Sequence, residues 1–310
     1  MNITIEQNKV VVNLEPDEFA KFQAMFANLN AMKNVSVEYR EFPGYNGTAP
    51  VQILPMHLCR TIGEANLGDD PFATVSLYPF WKHGFAFGNG ASLAINPQVD
   101  DPHKKAVSAD EFGMGFTAWA MEELFHCVEW ADTSALLKAG AIFSAGTKKP
   151  DYVCTFPDNS LGIFEAKGTT GGSIAGALAE GKIQTAGITA PVQIKCRVVV
   201  GAILGDSVKI ILLDPQPNDS VGARHAVPVQ TNLTPEMVAK AAKAMRTVPV
   251  GAPLVGARGR EGTRPSPTNI ATAPTETLFR GLDGATGATR EIKLTNVFKA
   301  EKKHNWLEAK

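Results

Sequence analysis

The chain has 310 residues, with 30 Lys and Arg against 31 Asp and Glu, a formal net charge of −1 and 44% hydrophobic residues. That length allows a sizeable core in roughly two or three compact regions. The balanced charge excludes a globally basic protein, so any nucleic-acid surface has to be local. No stretch reaches transmembrane length, and Met1-Asn2-Ile3-Thr4 has neither a basic start nor an apolar run. Cys59, Cys127, Cys154 and Cys196 lack metal-ligand spacing and read as buried thiols of a reducing compartment, so a cytoplasmic protein without membrane contact is expected.

From the N-terminus, residues 3–14 read as a hairpin turning at Gln7-Asn8, followed by a helix from Pro16 to about Met32. Aromatic, Gly and Pro residues crowd Tyr78 to Phe87 without matching a motif, and read as a loop-rich extension. Ser108-Ala109-Asp110-Glu111 has the form of a capping box, predicting a helix that starts near Ala109. Helical spacing puts Phe112, Phe116, Trp119, Glu123, His126, Cys127 and Trp130 on one stripe with Glu123 near its centre. Glu122 joins Glu111 and Glu129 on a separate, solvated stripe. A carboxylate among aromatic side chains has to be neutralised, paired or bound to metal, which makes Glu123 the candidate helical ligand. Glu123 and His126 also form a Glu-x-x-His pair of the kind that binds iron or manganese in four-helix carboxylate proteins. Those proteins need the motif twice, and one copy here leaves His126 as a hydrogen-bonded core residue.

Two β-patterned runs, residues 151–156 and 161–167, flank Pro157-Asp158-Asn159-Ser160, which is strong turn chemistry. With Asp158-Asn159 as the tip, Phe156 faces Leu161 and Asp151 arrives opposite Ala166. Glu165 and Lys167 share a face because side chains alternate along a strand. A register change of one residue decides whether Asp151 joins them, and a loop or bulge that makes it so is expected. Two carboxylates and an ammonium gathered at a strand end are costly unless something uses them. A divalent cation is the natural partner, and hard oxygen ligands suit Mg²⁺.

Pro150-Asp151 followed by Glu165-Ala166-Lys167 resembles the PD-(D/E)xK nuclease superfamily, over residues 108–215, about a third of the chain. The resemblance implies a restriction-endonuclease-like core in which Asp151 and Glu165 hold one or two Mg²⁺ ions, Mn²⁺ being an acceptable substitute. It also implies the Ala166 carbonyl as a further ligand, Lys167 as the residue that positions the attacking water, and Glu123 as the extra acid from a preceding helix. Pro157-Asp158 lies too close to Glu165 for anything except the turn.

Beyond Lys167, Gly168-Thr169-Thr170-Gly171-Gly172 leads to Ser173 as an N-cap and an Ala-rich helix to about Ala186. No Walker lysine follows, which argues against a nucleoside triphosphate site. Glu180, Lys182 and Gln184 are the polar residues of that helix, and Gln184 is the one taken as a catalytic candidate, since some members of the resembled superfamily place a glutamine or lysine there. Strands are expected at residues 192–204 and 208–213. Thr234-Pro235-Glu236 opens a short helix carrying Lys240, Lys243 and Arg246. Residues 247–274 are rich in Gly, Pro, Ala and Thr, with Arg258, Arg260 and Arg264 among them, and residues 299–310 form a basic tail.

The reading is therefore an α/β (α+β) protein with a mixed β-sheet flanked by helices. It divides into an N-terminal extension (1–105), a nuclease-like core (106–215) and a C-terminal extension (216–310). The expected activity is metal-dependent hydrolysis of phosphodiester bonds, in DNA before RNA, in restriction, defence or repair, with self-association or a partner protein compatible with it. Two other readings compete: a non-catalytic binding or scaffold subunit of the same fold, and a carboxylate-histidine metalloenzyme using Glu123 and His126.

Overall fold

The computed structural model describes residues 2–6, 9–42, 44–66, 80, 82–97, 101–144, 148–171, 173–214, 229–246, 276–282 and 286–295. The expected Gly/Pro/Arg-rich segment 247–274, the basic tail 299–310, the Gln7-Asn8 turn and Tyr78 lie outside these residues. Among the described residues no helix is long and apolar enough to cross a membrane.

A seven-stranded mixed sheet forms the centre. Its strands are β3 (Lys33–Phe42), β4 (Tyr45–Ile53), β5 (Glu129–Asp132), β6 (Tyr152–Thr155), β7 (Leu161–Thr169), β9 (Ile194–Ile203) and β10 (Lys209–Leu213), in the order β4-β3-β10-β9-β7-β6-β5. Pairing is parallel for β7 with β9 and for β10 with β3, and antiparallel elsewhere. The inner strands are buried on both faces, and Val198 to Val200 and Ile210 to Leu213 accordingly read as continuous apolar runs. Because β3 and β4 belong to this sheet, the boundary expected near residue 105 does not divide it.

Helices cover both faces. On one lies α3 (Pro102–Glu123), packed between the sheet and α2 (Pro55–Asn66). On the other lies α5 (Ala175–Ala186), the crossover between parallel strands β7 and β9, where Leu178 packs against Val199 and Ile211. Helices α4 (Thr133–Lys138) and α6 (Pro235–Arg246) close the β5 and β6 end of the sheet. Strands β8 (Ile188–Thr189) and β11 (Val229–Gln230) form a short parallel pair. A second, four-stranded sheet joins the N-terminal hairpin β1 (Asn2–Glu6) and β2 (Lys9–Asn13) to β12 (Glu276–Leu282) and β13 (Thr289–Thr295). The first helix, α1 (Pro16–Leu29), packs on it through Phe22, Phe26 and Phe279.

Helix α3 begins about two turns earlier than expected. Asp101 caps it, accepting from the His103 and Lys104 amides at 2.8 and 3.1 Å, and Pro102 opens it. Ser108 to Glu111 thus lies inside the helix. The N-cap of α5 is Ile174 rather than the expected Ser173, whose hydroxyl still accepts from the Ala175 amide at 3.3 Å.

Candidate active site

The β6–β7 hairpin turns through three residues rather than two. The Phe156 amide donates to the Ser160 carbonyl and the Asn159 amide to the Phe156 carbonyl, both at 3.0 Å, and Asn159 takes a left-handed conformation with φ 60°. Thr155 therefore faces Leu161 and Tyr152 faces Phe164. The pairing has slid by one residue from the expected register. One step further along, Asp151 comes level with Glu165, not Ala166, and so shares the face of Glu165 and Lys167.

Hydrogen bonds fix that arrangement. Asp151 Oδ2 accepts from the Ala166 amide at 2.8 Å, and the Asp151 amide donates to Glu165 Oε2 at 3.2 Å. Lys167 Nζ donates to Glu165 Oε1 at 2.7 Å. Behind Asp151, its carbonyl accepts from the Thr133 amide (3.0 Å), and the Thr133 hydroxyl donates to the Pro150 carbonyl. The Ala166 carbonyl leaves the strand on the same side as its amide, toward Asp151.

Glu165 is 1% exposed. Burial, and then the neighbouring Asp151 charge, push its carboxyl up to about 7 against the pull of Lys167. Burial also raises Asp151, which the Ala166 amide, Lys167 and a side-chain hydrogen bond with Glu165 only partly offset. For Lys167, burial opposes the charge, but the bond to Glu165 and the charges of Asp151 and Glu180 outweigh it and hold the ammonium above the ordinary lysine value. The two carboxylates are thus close enough to share a proton.

Glu123 is not at this site; the acid of α3 that feels its charges is Asp110. Gly168 and Gly113 let α3 and β7 meet backbone to backbone: a Cβ on Gly168 would collide with the Ala109 carbonyl, and one on Gly113 would lie 2.8 Å from the Gly168 nitrogen. Asp110, exposed at the rim, is thereby brought within the field of both Lys167 and Asp151, and its partial desolvation raises the carboxyl. Glu123 lies at the far end of α3, its side chain 40% exposed and 3.4 Å from His57 Nδ1. Its neighbour Glu122, expected in solvent, is the enclosed one. It accepts from the Trp130 indole at 2.9 Å, contacts His57 Nε2 at 3.0 Å and pairs with Arg60; against burial, the His57 hydrogen bond and then the Arg60 charge hold it down at about 2. The reason is α2, whose His57 and Arg60 meet the polar stripe of α3 and turn a solvated face into an interface. The helix also ends at Glu123, and His126 is exposed with φ 54°, so the pair shares no helical face and His126 is not a core residue.

On α5, Gly181 lies over Glu165, where a Cβ would stand 3.2 Å from Glu165 Cγ. Glu180 pairs with Lys148 and lies within the field of Lys167. Gln184, one turn beyond Gly181, has an enclosed Oε1 without a hydrogen-bond partner among the described residues. Lys182 reaches Glu41 instead of the site.

Among the described residues, no three His, Cys, Asp or Glu side chains form a group able to hold a metal ion. The expected ligand set of Asp151, Glu165 and Glu123 therefore reduces to the first two. This pair still fits a hard cation chemically, because a buried Glu165 carboxylate beside a half-buried Asp151 carboxylate leaves a deficit of positive charge that Lys167 alone does not remove. Asp110 escapes sequence reasoning because it sits in what looks like a capping box; the Gly113 and Gly168 spacing is the signal that could have found it. No protein-family model, curated protein or solved structure matches this chain.

Proposed function

We propose that the chain is a metal-dependent nuclease that hydrolyses phosphodiester bonds, with DNA as the expected substrate, in restriction, defence or repair. The observation that carries this reading is the hydrogen-bonded contact of Asp151, through its amide, with Glu165 beside Lys167. A shared proton neutralises such a pair only in part, and a divalent cation in its place relieves both acids. Asp151, Glu165 and the Ala166 carbonyl would hold Mg²⁺ or Mn²⁺, with water and substrate oxygens filling the other positions. When bound, the ion acidifies a water and offsets charge on the attacked phosphate. Lys167 keeps its ammonium charged through Glu165 and offers its remaining N–H donors to the attacking water or a phosphate oxygen. Asp151, anchored on the Ala166 amide and on Thr133, keeps its carboxylate from rotating away.

The test uses purified protein on linear, circular and single-stranded DNA and on RNA, with Mg²⁺, Mn²⁺ or EDTA. Cleavage is expected with either metal and lost in EDTA. Lys167→Ala should slow cleavage by about 100-fold or more while leaving much of the nucleic-acid binding intact, because the lysine acts on charge that develops during attack. Glu165→Gln should abolish cleavage and also weaken Mn²⁺ binding in a direct titration. Cleavage by the Lys167 variant at the parent rate would overturn the assignment. No cleavage of any substrate with either metal would favour a non-catalytic binding or scaffold subunit.

A further inference from the structure

Three of the four cysteines converge at the opposite face of the hairpin. Cys154 on β6, Gly162 on β7 and Cys196 on β9 lie in one row across the sheet. The missing side chain of Gly162 makes room for sulfur, since a Cβ there would stand 2.8 Å from Cys154 Sγ. Cys127 enters the same space from the turn after α3, where its amide donates to the Met121 carbonyl at 2.8 Å, and its Sγ lies 2.7 Å from Cys154 Sγ. All four thiols are free. Cys127 is partly exposed, whereas Cys154 is fully enclosed.

We propose that Cys127 and Cys154 are a redox-active pair that closes a disulfide when the protein meets a low-molecular-weight disulfide oxidant. The two sulfurs already touch, so the bond requires a shift on the order of an ångström or less. Exposure makes Cys127 the entry point. Its thiolate attacks one sulfur of the oxidant and expels the first small thiolate, forming a mixed disulfide. The Cys154 thiol then attacks the Cys127 sulfur and expels the second small thiolate, which takes up the proton Cys154 loses. Two protein thiols are oxidised by two electrons, the oxidant is reduced to two small thiols, and the two protons lost by the protein thiols end on the two expelled thiolates, so none is released net. Burial holds the Cys154 thiol well above its ordinary value, which makes the second step the slow one. The bond ties the turn after α3 to β6, the strand that begins beside Asp151. This inference does not depend on the nuclease reading.

The experiment is treatment of the full chain with oxidised glutathione, alkylation of the remaining thiols under denaturing conditions, and peptide mapping without reduction. Trypsin separates the three cysteines, because Lys138, Lys148, Lys167 and Lys195 lie between them. A Cys127–Cys154 linked peptide is expected in the parent, lost on addition of dithiothreitol, absent in Cys127→Ser and retained in Cys196→Ser. Recovery of both Cys127 and Cys154 as alkylated thiols in the oxidised parent would overturn the proposal. So would a link from Cys154 to Cys196, or one between two chains. The parent map decides the question even if a variant fails to fold.

Discussion

Glu165 is placed where its charge is least welcome, and this gives it a measurable pH signature. In the metal-free folded chain its carboxyl is pushed up to about 7, against an ordinary value of 4.5. Between those values the folded state holds a proton that the unfolded state has released. The contribution of Glu165 to stability is therefore complete below about pH 4.5 and declines as pH rises through the window to about 7. Thermal unfolding in EDTA should show the parent losing stability relative to Glu165→Gln across that window, and parallel curves would contradict the assignment. Mg²⁺ added near pH 7 should release protons, which calorimetry in buffers of different ionisation enthalpy detects. Glu122 makes the opposite prediction. Its carboxylate is held low by His57 and Arg60, so Glu122→Gln should cost about 3 kcal/mol by denaturant titration, through the partners left unpaired. Glu123→Gln, on an exposed side chain, should leave both stability and cleavage near parent values.

Elements place these residues, and two local backbone features decide the outcome. The left-handed Asn159 sets a three-residue turn and hence the register that aligns Asp151 with Glu165. Asn159→Gly should be tolerated, whereas Asn159→Val should cost about 1–2 kcal/mol because a β-branched residue resists that conformation. Gly168→Ala forces a methyl group against the Ala109 carbonyl, so α3 must retreat from β7. A loss of about 1–3 kcal/mol is expected, together with reduced cleavage as Asp110 moves from the site. The hairpin, its tip residues and the strands on either side of α5 were legible in the sequence, since turn chemistry and apolar runs are local signals. The register was not, because the same Asp-Asn pair suits both two- and three-residue loops, and only the backbone conformation chosen at Asn159 separates them. The start of α3 was legible at Asp101-Pro102 but masked by a better-looking false capping box. Strands β3 and β4 escaped although Val35, Val37 and Tyr39 alternate; the partner β10 lies far along the chain, and pattern alone does not name it. The Glu122 and Glu123 exchange has the same origin, since only the docking of α2 determines which polar stripe is enclosed.

Across the whole molecule, the N-terminal hairpin and the distant β12 form one sheet sealed by an aromatic cluster. Phe279 is 1% exposed and its ring centroid lies 5.1 Å from Phe22 and 5.3 Å from Phe26. Phe279→Ala should destabilise the protein by about 3–5 kcal/mol, measured by denaturant unfolding. If cleavage at low temperature is unaffected by the same change, the four-stranded sheet supports the fold without taking part in chemistry. The parallel pairing of β2 with β12 also has a consequence in time. Strand β2 leaves the ribosome roughly 260 residues before its partner begins at Glu276, which at ordinary synthesis rates is a wait on the order of tens of seconds. Throughout that interval Val11 and Val12 have no β12 to pair with, and Phe22 has no Phe279 to cover it. The growing chain therefore carries these apolar side chains uncovered until β12 has been made, and the demand for chaperones falls on β2 and α1.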